Sequence, residues 1–275
     1  MACAASTEGA VVLILPAAGL QSLPTDLELI IFDLDGTLTE SKQSLSGEMT
    51  QAIKSIIHRF NVAIISGASD NQFRTQVFSP LSRAKALQRL HILPACGTRY
   101  FVWTGGQSDW EPIYAYDLGS RDKQEIKEVL LAGIAQLGLD EPRIWGPLFE
   151  DCISQISFSG LGQQAPLQWK KSWDPDGRKR HTLCQYLRPR LPAFEVHSAG
   201  YTSVEVTLAG MDKSFGASKL LEILAVEVAR TLYVADGFNI DGSDVPVARL
   251  GVTSVWVRSL EETIQTIDLL IGTSS

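Results

Sequence analysis

Short apolar runs alternate with amphipathic stretches at both ends of the chain. Leu27–Phe32 is continuously apolar, as in a strand buried on both faces, and similar runs lie at Val62–Ile65 and Ile92–Ala95. Helical patterns separate them, beginning at Ser46 and extending from about Ser69 to Leu90. The alternation resumes late in the chain, with helix Ser214–Val228, strands Leu232–Val234 and Val252–Val257, and helix Leu260–Ile271. This order predicts an α/β fold with a doubly wound, Rossmann-like parallel sheet.

The middle of the chain has a different pattern. After Gly97 we predict a hairpin, Tyr100–Thr104 and Trp110–Tyr116, around the turn Gly105–Asp109. Alternating segments typical of antiparallel strands and two helical patterns follow: Gln124–Leu137, Gln155–Ser159, Asp176–Leu187, Phe194–His197 and Thr202–Leu208. We therefore predict a core formed by residues 1–117 and 210–275 with an inserted α+β cap at 118–209. The alternative is one irregular domain.

The bulk composition is that of an ordinary globular protein. The 275 residues allow two modest domains, and 45% of them are hydrophobic and 20% charged. The net charge of −7 disfavours nucleic acid or an anionic membrane as a partner. We expect a small-molecule ligand, and the oligomeric state stays open, a homodimer included.

The four cysteines lack metal-binding spacing, which fits a reducing cytosol, so we expect a cytoplasmic protein. The apolar stretch Ala10–Leu20 is too short to span a bilayer and has no basic residue before it. We interpret it as a core strand or a loose leader.

Two aspartates follow the first buried strand directly, in the run Phe32-Asp33-Leu34-Asp35-Gly36-Thr37-Leu38-Thr39. Ligands bind at the carboxyl ends of strands in α/β sheets, and paired carboxylates suit a hard cation such as Mg²⁺. Gly36 permits a sharp turn, and Thr37 offers a hydroxyl and an N–H to a phosphate. The run therefore predicts a magnesium and phosphate site.

A second acidic segment, Ala235–Asp244, follows the predicted strand Leu232–Val234. We expect Asp236 to be a side-chain metal ligand and Asp244 to bind the metal directly or support the ligands. Asp241 is equally well explained as a turn residue before Gly242.

The first acidic run resembles motif I, D-x-D-G-T, of the haloacid dehalogenase-like phosphohydrolase superfamily. The resemblance implies that Asp33 attacks phosphorus and forms an aspartyl phosphate. It implies that Asp35 is the general acid and base, with its main-chain carbonyl as a metal ligand.

The other superfamily motifs can be matched in order along the chain. Ser66 matches the phosphate-binding residue of motif II, with Gly67 beside it, although Ser-Gly after a strand is often only a turn. Lys213 matches the lysine of motif III that neutralises aspartate and phosphate, although a lysine at a helix start is often a surface residue.

The insertion between Ser66 and Lys213 resembles the C2 cap of subfamily IIB, as in eukaryotic-type phosphomannomutases and their bacterial relatives. By that resemblance Ser203 and Glu205 contact sugar hydroxyls. Three cap arginines of the mutases hold a second phosphate. In this chain Cys152 and Gln163 fall at two of those positions, and Lys170, or its neighbour Lys171, is near the third. The cluster Arg178-Lys179-Arg180 is predicted to be a solvated helix face.

Three functions follow from these features. The first is a Mg²⁺-dependent phosphohydrolase acting on a small phosphorylated metabolite, above all a sugar phosphate. The second is a phosphosugar mutase, and the third is a non-catalytic protein that binds a phosphometabolite. Replacement of two arginines by Cys152 and Gln163 favours hydrolysis over isomerisation, because a mutase must hold a second phosphate.

Overall fold

A computed structural model describes residues 14–16, 26–82, 84–105, 110–238 and 242–272. The strands are β1 (Ile14–Pro16), β2 (Leu29–Asp33), β3 (Asn61–Ile65), β4 (Leu90–Leu93), β5 (Arg99–Trp103), β6 (Trp110–Ala115), β7 (Phe149–Asp151), β8 (Ile156–Ser159), β9 (Phe194–Ala199), β10 (Ser203–Leu208), β11 (Thr231–Ala235) and β12 (Thr253–Trp256). The helices are α1 (Gly47–Ile56), α2 (Asp70–Phe73), α3 (Ser79–Leu81), α4 (Ser120–Leu137), α5 (Leu167–Trp173), α6 (Arg178–Leu187), α7 (Lys213–Leu224), α8 (Val245–Arg249) and α9 (Leu260–Gly272).

The larger sheet has eight strands in the order β1-β12-β11-β2-β3-β4-β5-β6. The strands from β1 to β4 in this order pair in parallel, whereas β5 and β6 add an antiparallel edge. Side chains of β2 alternate between two cores: Ile30 and Phe32 face one apolar cluster, and Leu29 and Ile31 face the other. Helices on both faces bury this central strand, as its unbroken apolar run predicts. The predicted doubly wound core is confirmed.

The smaller sheet is antiparallel, in the order β7-β8-β10-β9, and lies in sequence between β6 and α7. Apolar residues of α4 and α6 form a separate cluster with this sheet, including Ile126, Leu130, Leu183 and Phe158. An α+β cap inserted into an α/β core is therefore confirmed. The exact limits 118–209 stay a prediction.

Several local predictions need correction. The helical region from Ser69 ends at Leu81, not near Leu90, and passes through a π-helical turn at Arg74–Phe78. Ala86 has a left-handed backbone (φ 62°), which is incompatible with a continuing helix, and the next strand begins at Leu90. Strand β7 and helix α5 were not predicted, because they are short and carry no clear period.

Some predicted segments lie partly outside the described residues. Of Ala10–Leu20 only Ile14–Pro16 is described, and it pairs in parallel with β12, as a core strand would. Residues 106–109 of the hairpin turn and Asp241 are not described. Among the described helices, none has the length and apolar character needed to cross a membrane.

Candidate active site

Asp33 is the last residue of β2, at the centre of the larger sheet. The neighbouring parallel strands end at the same edge, so Ser66 follows β3 and Asp236 follows β11 beside it. Asp33 is 5% exposed, and its Oδ1 accepts a hydrogen bond from Lys213 Nζ at 2.6 Å. Residues distant in sequence meet here because parallel strands share a carboxyl edge.

Lys213, the first residue of α7, lies between two carboxylates. Its ammonium is 2.6 Å from Asp33 Oδ1 and 2.6 Å from Asp244 Oδ1. Burial alone would lower the pKa of Lys213, but the carboxylates of Asp244 and Asp33 raise it well above its usual value. The lysine therefore stays charged at neutral pH.

Asp244 is held by two further donors. The Tyr233 hydroxyl, buried within β11, donates to Asp244 Oδ1. The Gly237 N–H donates to Asp244 Oδ2 at 3.1 Å. Asp244 therefore connects the loop after β11 to Lys213 and fixes the ammonium opposite Asp33.

Three carboxylates form a group suited to a divalent cation. Asp33, Asp236 and Asp244 each offer an oxygen within 4.8 Å of the others. Gly36 has a φ of +96°, and a Cβ there would lie 2.2 Å from Asp236 Oδ2, so only glycine fits this approach. Burial and the nearby Asp244 raise the pKa of Asp236 to about 7. Clustered buried carboxylates with one lysine fit Mg²⁺, which prefers oxygen ligands.

The Asp35 carboxylate is not a member of this three-carboxylate group and has partners of its own. Its Oδ1 accepts hydrogen bonds from the Lys42 main-chain N–H at 2.8 Å and from Gln76 Nε2 at 3.3 Å. Burial raises the pKa of Asp35, and these two hydrogen bonds oppose the rise. Participation of the Asp35 carbonyl in a metal site stays a prediction.

The other core residues predicted for the site lie around Asp33. Thr37 is buried, with its hydroxyl 3.5 Å from Asp33 Oδ2 and 3.4 Å from Asp236 Oδ1. Ser66 is buried, and its Oγ accepts a hydrogen bond from the Ala68 N–H at 3.1 Å. Thr37 therefore contacts the carboxylates of Asp33 and Asp236, and Ser66 lines the cavity beside them, whereas their contact with a phosphoryl group stays a prediction.

A cavity of about 410 Å³ lies between core and cap, with Asp33, Asp35 and Asp236 among its core residues. The cap contributes Ser203, Glu205 and Lys170 to its wall. The structure thus brings all these predicted residues to one space.

Glu205 extends from cap strand β10 into the core. A Cβ at Gly67 would lie 1.8 Å from Glu205 Oε1, so this approach requires a glycine. The Cys96 thiol donates to Glu205 Oε2 at 3.1 Å, and burial raises the pKa of Glu205. The cap is therefore closed against the core at this point.

Comparison with known proteins agrees with this architecture. No family model matches the chain. Phosphomannomutase 2 of Dictyostelium discoideum is 21% identical over 226 residues, which cover 80% of this chain and 86% of that protein. A haloacid dehalogenase-like hydrolase from Bacteroides thetaiotaomicron superposes with a TM-score of 0.57 at 16% identity, over 88% of this chain and 98% of that one. The chain has the haloacid dehalogenase-like fold with a cap domain.

Another structure with this likeness is IMP-bound IMP-nucleotidase of Plasmodium falciparum. It superposes with a TM-score of 0.67 at 14% identity and covers 93% of this chain and 70% of that one. At such identities the haloacid dehalogenase-like fold is shared, and the site must be argued from this chain's own residues.

The cap differs in part from the prediction. Arg180 is buried, not solvated: it pairs with Asp174 at 2.8 Å and donates to the Gly200 carbonyl. Only Arg178, with its side chain 88% exposed, fully fits the predicted solvated face. The Cys152 thiol is buried and lies 4.0 Å from the Gly67 carbonyl.

Two further residues at the cavity were not predicted. Lys42, in the loop after β2, bonds Glu150 Oε2 of the cap at 2.8 Å and also Gln163 Oε1. The only feature of the sequence that pointed to Lys42 was the presence of charged residues shortly after the first acidic run. The cap residues that Lys42 contacts could not be identified without knowing where the cap lies over the core.

Proposed function

We propose that this protein is a Mg²⁺-dependent phosphohydrolase that forms an aspartyl phosphate on Asp33. The substrate class is a small metabolite with one phosphate and an uncharged, hydroxyl-rich leaving group, such as a sugar phosphate. The main support is the buried Asp33 carboxylate, which Lys213 holds at 2.6 Å beside a carboxylate group suited to a cation.

In the proposed first step, Asp33 attacks phosphorus through the oxygen that Lys213 does not hold. The bond from phosphorus to the leaving oxygen breaks, and Asp35 gives that oxygen its proton. Asp35 then takes a proton from water, which attacks the phosphorus of the aspartyl phosphate. Phosphate leaves, and the Asp33 carboxylate is restored.

The core residues account for the charge that these steps require. Lys213 offsets one of the three clustered carboxylates, and Mg²⁺, when bound, would neutralise the phosphoryl oxygens. Ser66 and Thr37 offer hydroxyl donors to the same group. Preorganised donors of this kind stabilise charge that develops in the transition state.

The charges of the cap wall support an uncharged leaving group. Its cationic residues are matched in number by acidic ones: Lys170, Lys171 and Arg180 against Glu150, Asp174 and Glu205. Arg180 is paired with Asp174, and Lys171 lies 3.6 Å from Glu40 of the core. Lys170 is the one cation of this wall without an ion pair among the described residues, so a second phosphate would find a single lysine in place of an arginine clamp. Ser203 and Glu205, in contrast, can bond hydroxyls.

A phosphosugar mutase is the second candidate, favoured by the similarity to phosphomannomutase 2. Nucleoside monophosphates also belong among the substrates tested, because the similar Plasmodium structure is an IMP-nucleotidase with IMP bound. A non-catalytic binding protein would show neither reaction.

The test is phosphate release from a panel of sugar and nucleoside monophosphates with Mg²⁺, with Asp33→Asn as the inactive control. We expect release from sugar monophosphates and no interconversion of mannose 1- and 6-phosphates, even with a bisphosphate activator. Interconversion faster than release would make the protein a mutase. Binding without either reaction would leave the non-catalytic function.

A further inference from the structure

Lys42 contacts both Asp35 and the cap, through different atoms. Its main-chain N–H donates to Asp35 Oδ1 at 2.8 Å. Its ammonium donates to Glu150 Oε2 at 2.8 Å and to Gln163 Oε1 at 2.5 Å, both of which belong to the cap. One residue therefore joins the position of the cap to the position of the proposed general acid.

The cap side of this link is itself held in place. The other carboxylate oxygen of Glu150 accepts a hydrogen bond from Ser69 Oγ at 3.0 Å. Gln163 Nε2 donates to the carbonyls of Ser157 at 3.0 Å and Leu148 at 3.3 Å. Because each acceptor is fixed by its own bonds, the closed cap defines one position for the Lys42 ammonium.

The backbone of Lys42 is in a conformation that depends on such support. Its φ is 61°, in the left-handed region that residues with side chains seldom adopt. Strained conformations persist where surrounding contacts determine them. Without the bonds to Glu150 and Gln163, the loop would be free to relax and to withdraw the N–H from Asp35.

The hydrogen bonds of Asp35 determine which of its oxygens can carry the proton. Oδ1 accepts from both the Lys42 N–H and Gln76 Nε2. An oxygen that accepts two N–H groups is the poorer place for a proton, so the acidic proton belongs on Oδ2. Asp35 lines the cavity, where a leaving oxygen would meet it.

We propose that Lys42 is a positioning residue that couples closure of the cap to the orientation of Asp35. When Glu150 and Gln163 hold its ammonium, its N–H holds Asp35 Oδ1, and Oδ2 faces the leaving group. This inference rests on the proposed function, in which Asp35 protonates the leaving oxygen.

The variant Lys42→Met tests the coupling, because it removes the ammonium but keeps the main-chain N–H. Phenyl phosphate and 4-nitrophenyl phosphate are similar in size, but phenolate is the more basic leaving group and depends more on an acid. We expect kcat/KM for phenyl phosphate to fall by about 100-fold, the loss that misplacement by about 1 Å causes. For 4-nitrophenyl phosphate the fall should be no more than about threefold.

Three further variants separate coupling from structural damage. Lys42→Arg keeps a cation and should restore most phenyl phosphatase activity. Glu150→Ala removes the acceptor of the Lys42 ammonium from the cap side and should reproduce the selective loss. Lys171→Met removes another cap lysine that pairs with the core, at 3.6 Å from Glu40. This variant should change kcat/KM for phenyl phosphate and for 4-nitrophenyl phosphate by the same factor.

Equal losses on both esters in a folded Lys42→Met protein would overturn the coupling. So would the same selective loss in Lys171→Met. If the wild-type protein is active on both esters and the Lys42 and Glu150 variants lose activity on the two esters equally, only the proposed role of Lys42 is defeated. A wild-type protein that releases phosphate from neither ester and from none of the sugar and nucleoside monophosphates would instead defeat the proposed function, and this inference with it. If it cleaves only the metabolite phosphates, the same comparison of Lys42→Met is made on two of those substrates whose leaving oxygens differ in basicity.

Discussion

The substitution Asp33→Asn separates the chemical role of this carboxylate from its role in the fold. An amide cannot attack phosphorus, so turnover should fall by more than the roughly 10²–10⁴-fold that a general acid or base contributes. The buried position of Asp33 and its contact with Lys213 at 2.6 Å raise the question of whether the protein still folds.

The charges around Asp33 indicate that stability is little changed. The nearest oxygens of Asp33, Asp236 and Asp244 lie within 4.8 Å, and two unit charges at that distance repel by about 3.5 kcal/mol at an effective dielectric constant of about 20. The substitution removes the repulsion from Asp244 in full and that from Asp236 in part, because Asp236, with its pKa raised to about 7, is only partly ionised at neutral pH. It also removes an attraction to Lys213 of about 6 kcal/mol on the same scale, at 2.6 Å. These effects nearly cancel, and Lys213 keeps Asp244 as its partner.

The assay combines phosphate release with urea unfolding in the absence of metal. The free energy of unfolding should stay within about 2 kcal/mol of wild type, while activity is lost. Asp35→Asn is the matched comparison, because it removes a carboxylate from the same turn but should cost only about 10²–10⁴-fold. Activity of Asp33→Asn within about tenfold of wild type would refute the nucleophile. Failure to fold would refute the charge argument.

Three other predictions concern the metal, the cap and the pH. Activity should require Mg²⁺, be lost when the metal is chelated, and be poorly supported by Ca²⁺. The Asp236→Ala variant should need a far higher Mg²⁺ concentration for activity. Full activity of the chelated protein would refute the metal site. Ser203→Ala should raise KM for the sugar phosphate but hardly alter hydrolysis of an aryl phosphate, with exposed Glu111→Ala as control. Equal loss on both substrates would indicate structural damage. Because burial raises the pKa of Asp236 from 3.8 to about 7, the folded protein binds a proton that the unfolded chain releases. The stability of the metal-free protein should therefore fall as the pH rises from about 4 to about 7, and the stabilisation by added Mg²⁺ should increase over the same range. Melting temperatures measured with and without Mg²⁺ at about pH 5 and pH 8 test both effects.

The sequence was sufficient to predict which core residues meet at the site, but not the contacts that Lys42 makes with the cap. Asp33, Ser66 and Asp236 each follow a buried parallel strand, and parallel strands end at a common edge, so their meeting follows from topology. The contacts of Lys42 with Glu150 and Gln163 span 108 and 121 residues. They depend on how the cap is placed over the core, which no local pattern encodes.

Arg180 shows a second limit of local patterns. Three consecutive basic residues are typical of a solvated helix face, and Arg178 follows that expectation. Arg180 is nevertheless 7% exposed, because Asp174 in the preceding turn accepts its side chain and compensates the buried charge. The periodicity of a sequence indicates the face of a helix on which a residue lies. It does not identify the ion-pair partner that compensates the cost of burying a charged side chain.

The two steps of the proposed reaction place different demands on the cap. Transfer to Asp33 needs the closed cap, because only then does Lys42 hold Asp35 and only then is water excluded. Hydrolysis of the aspartyl phosphate needs water, which enters when the cap opens, and it also needs Asp35, which Lys42 holds again once the cap has closed over that water. Whether the first product leaves at that moment depends on what holds it. A mutase must retain a second phosphate through this interval. In this cap Arg180 is paired with Asp174 and Lys171 lies beside Glu40, which leaves Lys170 as the one cap-wall cation outside an ion pair among the described residues. A single lysine lacks the bidentate fork that holds a phosphate firmly. An uncharged product held by hydrogen bonds of about 1 kcal/mol each would depart, and water would then complete the reaction.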